Sequence, residues 1–366
     1  MMQAGPGPVK RPAPELLVRE AAPGDGADWD AFVDGEPTAS YAHRAAWRDV
    51  VAAIYGHETL WRTAVDTDGT IHGIHPLVHV RSRLFGRYLV SMPYLDHGGP
   101  VGSPAAVDLL LRDAVHQAVT RGATLLEIRS GTAAPDPAGP SGPHRLSPAR
   151  PKVTVVLPLP SSPDELWRTA FRPAVRSQVR RARREGMEVR FGPDQLPDFL
   201  HVYAHNMRDL GMPAHPSAFF RRVLHHFPGM LEIGAVYLAG EPVAAGCGFT
   251  WRGTVEMVWA SSLRRFNRLA PNMLLYAAFM EHAIDHGAIA FSFGRCTPGT
   301  GTHRFKLQWG GRETPLPWSQ WPAAASAHLP ADDAAWVHAA RRGWSRLPIA
   351  AATRLGPPLV RRLPHY

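Results

Sequence analysis

Leu231-Glu-Ile-Gly-Ala-Val-Tyr-Leu-Ala-Gly-Glu-Pro-Val-Ala-Ala-Gly-Cys-Gly-Phe249 alternates in character, breaks at Ala239-Gly-Glu241 and resumes alternating from Val243. That pattern reads as a β-hairpin. Val255-Glu-Met-Val-Trp-Ala-Ser-Ser262 has the same period of two and reads as a third strand. Met273 to His286 then carries helical spacing, Gly287 stops it, and Ala290-Phe-Ser-Phe293 follows at once as a strand. The order is hairpin, strand, helix, strand.

The first part of the chain repeats this order. Trp61-Arg-Thr-Ala-Val-Asp66 alternates, turns at Asp66-Thr-Asp-Gly69 and resumes as Ile71 to Val80. Leu109 to Gly122 has helical spacing with a glycine stop, and Thr124-Leu-Leu-Glu-Ile-Arg129 is the strand after it. Helix–glycine–strand joints also arise by chance, but two units in the same order read as an internal duplication. The expected fold class is α/β in the broad sense (α+β): two tandem units with mixed, mostly antiparallel sheets flanked by helices.

The 366 residues suit two domains. Residues 1–14 read as a disordered leader. The Pro/Gly-rich stretch Gly131 to Pro151 reads as a linker, separating a unit at 15–150 from one at 151–320, and a basic tail occupies 321–366. Two cysteines, Cys247 and Cys296, allow no disulfide framework and no cysteine metal cage, so a reducing, cytoplasmic setting is expected. Neither a signal-peptide core nor a membrane span is visible in the sequence. The formal charge of +9 favours anionic partners without choosing among them.

Four segments carry the chemistry. Phe171 to Gly186 sets Arg172, Arg176, Arg180 and Arg184 four apart on one helix face, with Val175, Val179 and Ala182 on another. Such a stripe suits phosphate or carboxylate, although a solvated face is the simpler reading. In the strand Val255–Ser262, alternation puts Glu256 with Val258 and Ala260, a setting for a general base or for a carboxylate paired with an arginine. Arg264, Arg265 and Arg268 precede Pro271, which suits a first helical turn, and the free N–H groups of a helix start bind anions. Last, Gly294 to Gly310 is a glycine-rich loop holding Arg295, Cys296, Phe305, Lys306 and Trp309. A lysine among aromatic residues can stabilise charge on an acyl oxygen. No adjacent base activates Cys296. His72, His75 and His79 do not converge: His72 points to the opposite face, and the other two stand ~13 Å apart at strand rise, too far to share a metal.

These segments resemble the Fem-like branch of the GNAT superfamily, in particular the FemAB-related, BioF2-like acetyltransferases. The matching stretches are Met92 to Pro100, the Arg176-Ser-Gln-Val-Arg-Arg-Ala helix, Asn206 to Pro213, Trp259-Ala-Ser-Ser-Leu, Pro271 to Tyr276, Gly294 to Gly301 and Arg304 to Gly310. The resemblance implies two tandem GNAT-like acyltransferase domains with a cleft between them. It also implies transfer of an acyl or aminoacyl group to an amine on a sugar- or peptide-bearing precursor, in exopolysaccharide or cell-envelope biosynthesis.

Phe305-Lys306 is similar to the Phe-Lys pair at the reaction centre of Fem ligases, which makes Lys306, with Glu256 and Arg295, the expected catalytic set. Arg264, Arg265, Arg268 and Asn272 would hold the donor, and Arg176, Arg180, Asn206, Asp209, Trp259, Ser261 and Tyr276 the acceptor. The donor would be acyl-CoA (acetyl-CoA) or aminoacyl-tRNA, with no metal. Expected partners are a small-molecule or lipid-linked glycan precursor and, in the second case, tRNA. Ala335 to Leu347 reads as a short basic, aromatic helix that packs on the second domain, with docking on an anionic membrane from the cytoplasmic side as the alternative.

The chain departs from the family pattern at Ser292, where relatives often carry an acid, and at Cys296, where they tend to have serine. It also lacks the first glycine of the usual CoA phosphate loop, the nearest fit being Arg265 to Ala270. The helical pair with which Fem ligases grip tRNA has no counterpart. Three functions therefore stay open: a CoA-dependent N-acyltransferase, a tRNA-dependent ligase, and a non-catalytic binder of anionic glycan or RNA.

Overall fold

The computed structural model describes residues 15–82, 85–131, 145–322 and 335–363. The expected leader lies outside them, as do the centre of the linker and the start of the tail. The described chain builds two mixed sheets, each repeating the order read from the sequence.

In the first sheet, Glu58–Val65 and Ile71–Ser82 form the hairpin, and Gly86–Val90 adds antiparallel to it. The helix Pro104–Thr120 then crosses over, and Leu125–Arg129 returns parallel to Gly86–Val90. In the second, Leu231–Leu238 and Glu241–Trp251 form the hairpin and Thr254–Ser262 adds antiparallel. The helix Pro271–Asp285 crosses over, and Ala290–Cys296 returns parallel. Each sheet thus has one parallel pairing, made by its crossover helix. The turn Ala239-Gly240 has positive φ at both residues (51° and 82°), as a two-residue hairpin loop requires.

The helix starts were legible only in part. Spacing placed the first crossover helix at Leu109, but Ser103 caps it by accepting from the Ala106 N–H, and Pro104 opens it a turn and a half earlier. Both crossover helices lie against their sheets. The second is buried nearly all round, which is why its apolar pattern shows no clean stripe.

Two connections tie the halves together. Trp318–Trp321, after the last strand of the second sheet, pairs antiparallel with Leu125–Arg129 of the first. Ser147–Pro148, inside the expected linker, pairs on its other side. The largest core also spans both halves. Trp47, Tyr41 and Trp29 from the first pack with Phe219, Phe227 and Phe249 from the second, Tyr41 stacking on Phe249 at 4.2 Å.

Candidate active site

The site begins where the second sheet parts. Thr254–Ser262 pairs with Ala290–Cys296 only at Thr254–Ala290, Val255–Phe291 and Glu256–Ser292. Beyond Glu256 the parallel pairing stops. On the other edge of Thr254–Ser262, the register against Glu241–Trp251 slips between Cys247 and Gly248, leaving Val258 as the extra residue of a bulge. The expected shared face of Glu256, Val258 and Ala260 is corrected by this bulge, because an extra residue interrupts the alternation. On the facing strand the register shifts between Ser292 and Arg295, around Gly294 at φ 67°. A Cβ on Gly294 would stand 2.9 Å from the Met257 carbonyl oxygen and 3.3 Å from an Asp96 carboxylate oxygen. Only glycine fits there.

The loop from Met92 to Pro100 in the first half enters beside this opening. The Arg295 N–H donates to Asp96 Oδ2 at 2.7 Å, and Arg295 Nε pairs with Asp96 Oδ1 at 3.0 Å. His97 Nε2 lies 2.9 Å from Glu256 Oε2. Lys306, 5% exposed, comes from the short helix Gly301–Leu307, which Thr300 caps through the His303 N–H. Its Nζ donates to the carbonyls of Gly294 at 2.7 Å and Arg295 at 2.8 Å. An ammonium has three N–H bonds, so one is left without a partner among the described residues. Phe305, beside it, packs edge-on against Tyr276 at 5.1 Å and touches Trp309, which anchors the Phe-Lys pair to the core.

The entering loop is itself held from behind. Arg129 is fully buried, pairs with Glu127 at 2.8 Å, and donates to the carbonyls of Pro93 at 2.5 Å and Leu95 at 2.9 Å. Trp318 lies between the guanidinium groups of Arg129 and Arg295, at 4.7 and 4.9 Å. The strand that crosses between the sheets thus contacts the site directly.

The electrostatics follow from burial and pairing. Burial pushes the Asp96 carboxyl up, but Arg295, His97 and Lys306 outweigh it and hold the group below its ordinary value. Burial pulls Lys306 down, opposed by Asp96 and Glu256. Burial also pulls on His97, yet Glu256 and Asp96 raise it to about 9. At neutral pH His97 is therefore imidazolium and holds Glu256 as an ion pair. The Tyr41 hydroxyl faces the Glu256 carboxylate in the same buried space, and His97 Nδ1 is buried with no partner among the described residues. An orphaned polar atom of this kind needs an explanation, and a reaction site is one.

A pH dependence follows. The folded pKa of His97 lies above the ~6.5 of an unfolded histidine. Its pairing therefore stabilises the fold fully below that value and is lost as pH rises through about 9. Thermal melts from neutral to alkaline pH should show a falling midpoint across this window. His97→Gln should flatten that fall, and an unchanged profile would remove His97 as its source.

The other expected site residues are not gathered here. Arg264, Arg265 and Arg268 are exposed along a short 3-10 segment, Arg264–Leu269, before the helix at Pro271. Arg265 pairs with Glu241 and lies over Phe266. With His205, Arg208, Asp209 and Leu263, Arg264 and Arg265 line an open cavity of about 370 Å³. Asp209 pairs with its neighbour Arg208. Asn206 Nδ2 donates to Ser261 Oγ at 3.1 Å, so these two expected acceptor contacts hold each other. Trp259 packs edge-on against Phe219 and Phe220. Tyr276 lies in the core, stacked on Phe293 at 5.6 Å. Asn272 Oδ1 is buried and has no partner among the described residues.

In the helix Pro173–Arg184, Arg176 turns inward to the Trp167 carbonyl at 2.9 Å. Arg180 remains on a groove of about 570 Å³ with Pro173, Ser177, Arg183 and Arg184. The histidines have separate partners: His72 with Asp66, His75 with Ser91 and His79 with Glu58. Among the described residues no cluster of three or more His, Cys, Asp or Glu side chains could hold a metal ion.

Sequence reasoning missed Asp96 and His97 as site residues. The stretch Met92 to Pro100 stood out only as a point of resemblance. The loop has no periodicity, and His97 meets its partner 159 residues away.

Residues 169–307 match a family model described as an acetyltransferase (GNAT) domain. Among curated proteins none matches the chain significantly in sequence. The crystal structure of FemX aligns with a TM-score of 0.61 at 16% identity, over 86% of this chain and 100% of that one. A tandem GNAT protein from the clavulanic acid biosynthesis pathway aligns at 0.53 and 12%, over 87% of this chain and 100% of that one. The C-terminal domain of a putative lysylphosphatidylglycerol synthetase from Agrobacterium fabrum aligns at 0.53 and 13%, over 84% and 93%. Residues 169–307 are thus similar to an acetyltransferase (GNAT) domain, and the chain as a whole has the tandem GNAT-like fold that its resemblance to the Fem-like branch implied.

Proposed function

We propose that this chain is an N-acyltransferase. It would move an acyl group from acyl-CoA to an amine of a sugar- or peptide-bearing precursor, in exopolysaccharide or cell-envelope biosynthesis in the cytoplasm. The observation that carries this reading is Lys306: a buried ammonium fixed by two main-chain carbonyls, with one N–H unused, at the opening between two parting strands. The amine nitrogen attacks the donor carbonyl carbon. The unused N–H of Lys306 stabilises the oxyanion that forms, at a point where surrounding protein excludes water. The C–S bond breaks and CoA leaves as the thiolate, which the proton taken from the amine then neutralises. Glu256, a buried carboxylate at the last paired position of the parting strands, is the proposed acceptor of the amine's proton. Arg295 fixes Asp96 beside Lys306 and so positions the ammonium.

The donor end fits an anion through side chains more than through backbone. Arg264 and Arg268 are exposed before the helix at Pro271. The N–H groups of Ala270, Met273 and Leu274, however, already bond the carbonyls of Asn267 and Ala270. A diphosphate would thus meet arginine side chains instead of an open main-chain cradle. This observation favours a second reading, an aminoacyl-tRNA donor spread over the exposed arginines. The two buried free cysteines suit a reducing setting.

Incubation with labelled acetyl-CoA or labelled aminoacyl-tRNA, each with amine acceptors, separates the readings. Transfer from acetyl-CoA is the expected result. Transfer only from aminoacyl-tRNA selects the second reading. No transfer from either, with tight binding of anionic glycan or RNA, leaves a non-catalytic binder.

A further inference from the structure

The helices Ala335–Trp344 and Ile349–Val360 take no part in the proposed chemistry, and their orientation is unusual. They sit on the second half by their inner faces. A Cβ on Gly211 would lie 2.5 Å from the Arg341 carbonyl oxygen, and one on Gly356 would lie 3.0 Å from that of Ala214. Arg341, Trp344, Ala352, Gly356 and Val360 are at least partly covered. The outer face of the first helix is Trp336, Ala339, Ala340 and Gly343, one apolar stripe at helical spacing, and all four are exposed. Trp336 is 56% exposed. A helix on a water-facing surface ordinarily turns such a stripe inward. Leu355, on the second helix, and Leu210, next to the seat at Gly211, are also exposed.

Exposed arginines accompany and follow the stripe along the chain. Arg342, Arg346, Arg354, Arg361 and Arg362 are exposed. From Ala335 to the last residue there is no aspartate or glutamate. The nearest acids in sequence, Asp332 and Asp333, lie outside the described residues. Exposed tryptophan and leucine set among arginines match the interface of an anionic bilayer, where indole sits at headgroup level and guanidinium pairs with phosphate. Among the described residues no helix is long and apolar enough to cross a membrane, so the contact would lie along the surface.

We propose that the outer face of these two helices docks on an anionic phospholipid surface. This surface is separate from Lys306 and its partners and does not rest on the proposed reaction. The test is flotation of the full chain with vesicles of phosphatidylcholine, alone or mixed with phosphatidylglycerol. The chain should float with the mixed vesicles and much less with the neutral ones, and added salt should release it. The double variant Arg342→Glu, Arg346→Glu should weaken partitioning on the order of 30-fold, at about 1 kcal/mol for each basic residue lost near the surface. Trp336→Glu should weaken it too. Both variants change exposed side chains, so their melting midpoints should match the parent's. Absence of binding to mixed vesicles, equal binding to both kinds, or binding unchanged by the variants overturns the proposal. A chain that ignores vesicles but retards RNA overturns it in favour of a nucleic-acid surface.

Discussion

Lys306→Ala should lower turnover with the true donor and acceptor by about 10²–10³-fold, the range measured for removing one donor to an oxyanion. The ammonium is aimed before any substrate arrives, because two of its N–H bonds are committed to the Gly294 and Arg295 carbonyls. Asp96 keeps its charge close by, and 5% exposure leaves little water to screen it. An interaction that strengthens as the carbonyl oxygen gains charge acts on kcat more than on KM. Lys306→Arg should not rescue the loss, since a planar guanidinium cannot place three divergent N–H bonds in the same space. Steady-state kinetics beside a thermal melt make the check. Unchanged turnover in a folded variant would reject the oxyanion role.

Arg129→Ala should have the largest effect on stability, a loss of about 3–5 kcal/mol, as when one member of a buried ion pair is removed. The side chain is fully enclosed. It pairs with Glu127, bonds the Pro93 and Leu95 carbonyls, and lies over the Trp318 ring. Alanine would leave a carboxylate and two carbonyls facing a cavity. Arg129→Lys should keep the charge but not the guanidinium's forked bonds or its contact with the indole, and so fall between the two. Urea unfolding measures the difference, and a loss below about 1 kcal/mol would show that the cluster relaxes without it. Activity should fall as well, since the carbonyls held by Arg129 belong to the loop that delivers Asp96.

The fold was legible where side-chain period and turn chemistry agreed. The hairpin at 231–251 is an example: alternation marks both strands, and Ala239-Gly240 marks the turn. The repeated order of elements was legible because both crossover helices end near a glycine and lead straight into a strand. Lys306 and Glu256 stood out in the sequence as charged residues among apolar neighbours, and the structure places both, with Arg295, around the point where the two strands part. What closes the site was not legible. His97 and Asp96 sit in an irregular loop, and their partners come from the other sheet. The bulge at Val258 is invisible in an alternating sequence, because the residue that breaks the pairing is itself apolar. Arg176 and Arg180 looked equivalent on a helical wheel, but the carbonyl of Trp167, from the preceding segment, draws only Arg176 inward. Asn206 and Ser261 were read as separate contacts to a ligand and instead satisfy one another.

The strand Trp318–Trp321 makes the two halves inseparable by cleavage in the linker. A fragment ending before residue 151 would own most of one sheet but lack the strand that covers Leu125–Arg129. It would present a bare, sticky edge and no wall behind Trp318's place between the arginines. A fragment beginning at residue 151 would trail a strand with nowhere to dock. Each half thus borrows a piece of its neighbour to complete its own edge.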